Sequence, residues 1–236
     1  MSNDIKYLIL FSLLYAIILF LGELIYKTFN LKSEVVRKSV HFLIGISTLL
    51  FPFYFKNYWS VGLLSIIFLL LMLISKHFGF LKSINKINRQ SFGSYYYPLS
   101  ISLVFIIYFF SNDLVLYYLP ILILSICDPI AALTGIKYKA IMVRKNNDSI
   151  IIQFGTEGKT YIGSFFFFIT SIIITYYTLS FFYRINSSKM VLETLSIALI
   201  SSFTEAISKK GSDNITIPIS VVLSLLLFKY YFLSLF

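Results

Sequence analysis

A single cysteine, Cys127, stands in a chain of 236 residues. With no second thiol there is no intramolecular disulfide, and a metal site built on cysteines is excluded. Acidic residues are scarce, ten against twenty lysines and arginines, and charged residues of all kinds make up only 13% of the chain. No P-loop is present: the pattern G-x-x-x-x-G-K-[ST] requires a glycine five residues before Gly158, and Gln153 stands there. Beyond the Phe165–Phe168 run there is no low-complexity segment, and no internal repeat. No small-residue cleavage site follows the first apolar run, which therefore reads as a retained helix and not a signal peptide.

What fills the chain is apolar sequence. Hydrophobic residues make up 58% and the mean hydropathy is +0.85. Soluble domains are about 45–50% apolar, so the class is a polytopic membrane protein. Apolar runs lie near 7–26, 40–55, 58–75, 95–111, 114–135, 161–183, 190–207 and 215–235. A bilayer takes about 20 helical residues to cross. The runs predict an all-α fold of about eight transmembrane helices in a single transmembrane domain over 1–236, with no room for a soluble domain.

The net charge of +10 does not point to nucleic acid, because of where the charge falls. With eight helices, the loops after the first, third, fifth and seventh hold all the basic residues except Lys6, Lys56, Arg184, Lys189 and Lys229. The positive-inside rule places those loops in the cytoplasm and both termini outside. The same loops make a basic rim suited to anionic lipid or a polyphosphate.

Five polar clusters fall on that side. Asp128 lies in Ser125-Ile-Cys-Asp-Pro-Ile-Ala-Ala-Leu-Thr-Gly135, inside a segment otherwise fit to cross a membrane. A charge at that depth costs roughly 2.5–3.5 kcal/mol on insertion scales and marks a functional site. Asp128, Ala132 and Gly135 share one helix face, and the two small residues let a backbone or ligand come close. Pro129 withholds an N–H from the carbonyl of Ser125. Arg37, His41 and Gly45 repeat along the face entering the second helix, with Lys38 one residue's turn away; a phosphate site or a juxtamembrane stop charge with an interfacial histidine fits equally. Arg89-x-Ser91-x-Gly93 can face an anion, Pro98 suits the first turn of the fourth helix, and Tyr95–Tyr97 suit an aromatic belt. Residues 140–144 and 150–154, flanking Lys145–Ser149, suggest a short β-hairpin at the membrane surface. Gly158-Lys159-Thr160, leading to Gly163, can cradle phosphate at a helix start. Ser201, Glu205 and Ser208 lie on one face, and Asp213 or Asn214 can cap the last helix. Glu23 is expected to snorkel to the interface.

Taken in order, Arg37-Lys38-x-x-His41, Arg89-x-Ser91-x-Gly93 with Pro98, Asp128-Pro129-x-Ala131-Ala132-x-x-Gly135, Gly158-Lys159-Thr160-x-x-Gly163-Ser164, and Glu205-Ala206 with Gly211-Ser212-Asp213-Asn214-x-Thr216-x-Pro218 resemble the CTP-dependent polyprenol kinases. That group includes dolichol, phytol and farnesol kinases and a CTP-dependent diacylglycerol kinase. The chain departs from the family pattern at Lys139, where glycine is usual, and at Ile162, where an acid is usual.

The resemblance implies transfer of the γ-phosphate of CTP to a lipid alcohol at the cytoplasmic membrane face. It implies Mg²⁺ or another divalent cation held by Asp128 and Asp213, with Glu205 the third candidate. Lys159, Arg37, Lys38 and Arg89 are then expected to neutralise the triphosphate, and His41 to orient the alcohol. Ser91, Gly93, Ala132, Gly135, Thr160, Gly163, Asn214 and Thr216 are expected to line the nucleotide. Two alternatives stay open. A phosphatidate cytidylyltransferase-like enzyme also uses CTP, although its C-terminal signature is not seen in the last two helices. A transporter would place charges near the midplane of both halves.

Overall fold

The structure, a computed structural model, describes residues 2–85, 91–144, 153–154, 159–183 and 187–233. It is all-α apart from one two-stranded pair. Eight stretches among the described residues are long and apolar enough to cross a membrane: Asn3–Phe29, Ser33–Tyr54, Tyr58–His77, Gly93–Ser111, Val115–Val143, Tyr161–Phe182, Ser188–Ile207 and Asp213–Tyr230. Large apolar side chains such as Leu13, Phe20, Trp59, Phe110, Tyr177 and Phe181 stand exposed along them. So much contiguous apolar surface is at home against hydrocarbon and not against water.

Two compact units divide the chain, residues 1–112 with 210–215, and residues 113–209 with 216–236. In the first, α1 (Ser2–Phe29) packs on α2 (Ser33–Thr48) and α4 (Tyr58–His77), α4 packs on α6 (Gly93–Ser111), and α2 packs on the short α5 (Lys82–Asn85). The single turn α3 (Phe51–Tyr54) continues the line of α2. Aromatic rings fill the core: Phe11 meets Phe51 edge to face at 5.0 Å, and Phe51 meets Phe105 at 6.3 Å. Such pairs add about 0.5–1.5 kcal/mol each beyond area burial.

In the second unit, α7 (Val115–Leu122) runs through a π-helical turn, Ile123–Cys127, into α8 (Asp128–Arg144). α9 (Tyr161–Phe182) packs on α8, α7 and α10 (Ser187–Ile207). The last helix, α11 (Asp213–Leu233), starts in the first unit and continues in the second. Pro129 explains the π turn: without its N–H, the ladder before it widens by one residue.

Several boundaries differ from the sequence expectation. The second span begins at Ser33, because Glu34, Arg37 and Lys38 are helical residues and not a charged approach to a helix. α6 begins at Gly93, so Pro98 falls in its second turn and supplies no N–H to the carbonyl of Ser94. The strand pair keeps the end of one expected arm and changes the other: β1 (Gln153–Phe154), within the expected 150–154, pairs antiparallel with β2 (Lys159–Thr160), Gln153 opposite Thr160. Residues 140–144 instead continue α8. The expected turn at 145–149 and Arg89 lie outside the described residues. Glu23 is tied down at the protein surface: its carboxylate accepts the Ser83 N–H at 2.9 Å, one of the donors that the start of α5 leaves open, and pairs with Lys27 at 3.5 Å.

Candidate functional site

The first unit gathers the early and late motifs. Arg37, Lys38 and His41 are all buried on α2, which accounts for a helical start ahead of the apolar run. Glu34, one turn back, grips the Arg37 guanidinium with both oxygens, at 3.0 Å to Nε and 2.6 Å to Nη2. A bidentate fork of this kind is among the stronger charge-assisted contacts. The Tyr97 hydroxyl donates to the carbonyl of His41 at 2.8 Å, and the two rings lie 3.7 Å apart between centroids.

The turn before α11 lies against the start of α6. The Phe92 N–H donates to the Lys210 carbonyl at 2.8 Å. Gly211 has φ +82°, and a Cβ there would run into the Gly93 backbone. Only glycine suits both demands. Asn214 is 2% exposed, and its Nδ2 donates to the Gly93 carbonyl at 2.7 Å. A Cβ on Gly93 would meet that nitrogen at 2.7 Å and an Arg37 nitrogen at 3.2 Å, so the small residue is needed here too. Ser91 accepts the Gly93 N–H at 3.3 Å. Asp213 opens α11, and its Oδ1 accepts the Asn214 N–H at 3.1 Å.

Arg37, His41, Gly93, Ser94, Tyr97 and Asn214 line one side of a half-open cavity of about 360 Å³, counting the space at its mouth; the other walls are aliphatic and aromatic. A second cavity of about 270 Å³ shares Ile44, Phe68 and Tyr97 with it and continues toward Phe51.

The second unit holds the remaining candidates. Asp128 is 2% exposed and stands where the π turn gives way to α8. Lys159 on β2 pairs with Glu205 on α10 at 2.8 Å and also donates to the Glu205 backbone carbonyl. Ser164 donates to the other Glu205 oxygen at 3.2 Å. Both carboxylate oxygens of the third metal candidate are thus engaged by protein donors. Thr160 caps α9: its hydroxyl oxygen accepts the Gly163 N–H at 3.1 Å.

Close approach at the small residues is made by protein. A Cβ on Gly135 would stand 2.9 Å from Thr160 Oγ1, and one on Gly163 would stand 2.8 Å from the Ala131 carbonyl oxygen. α8 and the start of α9 touch through these glycines, with Ala132 on the intervening turn of α8. Thr216 and Ser208 share a hydrogen bond of 2.8 Å. Ser208 donates its own proton to the Thr204 carbonyl, so Thr216 is the donor.

Two carboxylates escaped the sequence reading. Asp4 is buried and accepts from Ser60 at 2.9 Å and Asn57 at 3.1 Å. Asp113 accepts from the Tyr183 hydroxyl at 2.8 Å, Lys229 at 3.0 Å and the Val115 N–H at 3.0 Å. Burial alone would raise its pKa, but these donors outweigh it and hold the carboxyl below the ordinary range. Both lie at helix ends, where an acid in the sequence reads as a cap, and neither has a side-chain partner nearby in sequence that would reveal the cluster.

Among the described residues no group of three or more His, Cys, Asp and Glu side chains can hold a metal ion unaided.

Fold and site together define a polytopic, all-helical membrane protein with buried acids and bases near its helix ends. The chain is similar to the phytol kinase of Synechocystis sp., with 26% identity over 203 residues, 86% of this chain and 82% of that one. A stretch of that length takes in everything from Glu34 to Phe203 and so spans Arg37, His41, Asp128 and Lys159. No family model and no solved structure matches.

Proposed function

We propose that this chain is a membrane-embedded lipid kinase that moves the γ-phosphate of CTP onto the hydroxyl of a polyprenol-type alcohol. The observation that carries the reading is the likeness to a phytol kinase along 86% of the chain. Buried Asp128 and Arg37 and partly buried Lys159 within that stretch are the groups such chemistry needs. Phosphoryl transfer is mostly positioning and charge neutralisation. The alcohol oxygen forms a bond to the terminal phosphorus, the bond from that phosphorus to the β-phosphate oxygen breaks, and CDP leaves. The hydroxyl proton passes to solvent as the bond forms, and His41 is our candidate for orienting the alcohol.

Mg²⁺ would supply the remaining charge neutralisation, and Asp128 and Asp213 are each a candidate carboxylate ligand for it. Lys159 and Arg37 are already ion-paired with Glu205 and Glu34, so each would share its charge between that carboxylate and a phosphate. Ala132, Gly135, Thr160, Gly163 and Thr216 belong to the frame that holds these groups. The basic loops put this chemistry at the cytoplasmic face and both termini outside.

The test uses purified protein in detergent with Mg²⁺ and γ-labelled CTP, offered phytol, geranylgeraniol, farnesol, a long polyprenol and diacylglycerol. Label should enter a lipid phosphate and be lost in Asp128→Asn. Label released as pyrophosphate on adding phosphatidate would replace the kinase by a cytidylyltransferase. No turnover of CTP with any lipid would reject both.

A further inference from the structure

Asn214 holds an unspent hydrogen-bond acceptor. Its Nδ2 is committed to the Gly93 carbonyl at 2.7 Å, which fixes the amide orientation, since the flipped amide would set oxygen against oxygen. The other end, Oδ1, is buried and has no hydrogen-bond partner among the described residues. Asn214 lines the cavity of the first unit together with Arg37, His41 and Tyr97. Buried amide oxygens are normally satisfied, and one that is not calls for a missing partner.

The missing partner must be a donor. Phosphate oxygens at neutral pH are mainly acceptors, so they do not answer the need of Oδ1. The rest of the cavity narrows the choice. Leu19, Val40, Ile44, Phe68, Met72 and Ile84, from four helices, form an apolar surround. A pocket that is apolar except for a few convergent polar groups takes a ligand of the same make-up.

We infer that this cavity is the seat of the acceptor alcohol, whose O–H donates to Asn214 Oδ1 while its first branched carbons lie against the apolar walls. The tail continues past Phe68 and Tyr97 into the adjoining cavity. The inference rests on the lipid-kinase reading for the identity of the ligand, but its test does not require phosphoryl transfer.

Binding is measured without nucleotide, on the full chain in lipid nanodiscs, using tritiated geranylgeraniol and its methyl ether. The ether keeps the tail and the oxygen but has no proton to donate. Wild type should bind the alcohol about tenfold more tightly than the ether, the worth of 1.4 kcal/mol. In Asn214→Ala that preference should disappear. Val40→Phe, which fills the cavity and leaves Asn214 in place, should weaken both ligands and covers the case in which the Asn214 variant does not fold. Equal binding of alcohol and ether to wild type would overturn the inference, as would unchanged binding in Val40→Phe.

Steady-state kinetics separates a rival donor. If Asn214→Ala raised KM for CTP and not for the alcohol, Oδ1 would be reading the cytosine amino group and the inference would fall. Alcohol binding with the expected preference, but no transfer from any nucleotide, would keep the site and reject the kinase.

Discussion

Lys159 and Glu205 offer a test that separates holding the fold from handling a phosphate. The two charges stand 2.8 Å apart, with side chains 12% and 7% exposed, and Ser164 takes up the second carboxylate oxygen. Removing one partner of a buried pair leaves the other charge uncompensated, at a cost of about 3–5 kcal/mol, while replacing both with apolar groups is often neutral. Lys159→Met should therefore lower stability by about 3 kcal/mol, the low end, because Ser164 still serves Glu205. For a chain of this length about 2–4 °C of melting temperature goes with each kcal/mol, so the fall is about 6–12 °C. Lys159→Met combined with Glu205→Leu should recover most of it. The assay is thermal unfolding in detergent followed by size-exclusion chromatography, with labelled-CTP turnover measured on each variant. If Lys159 serves a phosphate, the double variant is stable and inactive. A single variant as stable as wild type would refute the argument that the pair is buried and coupled. A double variant with full turnover would remove Lys159 from the proposed chemistry.

Other perturbations follow from the same geometry. Asp113 is ionised in the fold at a pH where the unfolded carboxyl is already protonated, so its contribution is complete above about pH 5 and is lost as the pH falls through the lowered folded value. Tyr183→Phe removes one donor, should cost about 1–2 kcal/mol at neutral pH, and should flatten the acid limb of a stability–pH curve; an unchanged limb would dismiss the hydrogen bond. Gly211→Ala forces a side chain into positive φ against the Gly93 backbone and should cost about 2 kcal/mol or more in thermal unfolding. Gly135→Ala pushes on Thr160 Oγ1, the cap of α9, and should cost about 1 kcal/mol, seen as faster amide exchange in the first turn of that helix.

The spans were legible because hydrocarbon sets a simple requirement, a long apolar helix, and eight runs meet it. Their ends were less so. Glu34, Arg37 and Lys38 looked like the approach to a helix because charge was counted against a membrane run, yet the backbone is helical there and Glu34 answers Arg37 one turn on. Residues 140–144 read as a strand from their β-branched character, but a helix already under way costs less to extend than a strand costs to start. Within the site, residue types were readable and partners were not. Lys159 and Glu205 were both marked by charge near apolar sequence, but nothing between positions 159 and 205 reveals that they meet. Asp4 and Asp113 were passed over because an acid beside a helix end is ordinary, and their side-chain donors lie more than fifty residues away.

Asn214 shows the limit in its sharpest form. In sequence it is one of two residues able to cap a helix, or a contact for phosphate or base, and no pattern chooses among them. The choice is made by Gly93, 121 residues earlier, whose carbonyl claims the amide nitrogen and so leaves the buried oxygen as the end still to be answered. Gly93 can do this only because it has no Cβ, and it is held there by Gly211 and by the Phe92–Lys210 hydrogen bond. Read separately, the Gly93 motif suggests an anion site and the Gly211 motif a helix cap. Folding the two against each other makes an acceptor, and an acceptor in an apolar chamber selects for a ligand with a proton to give.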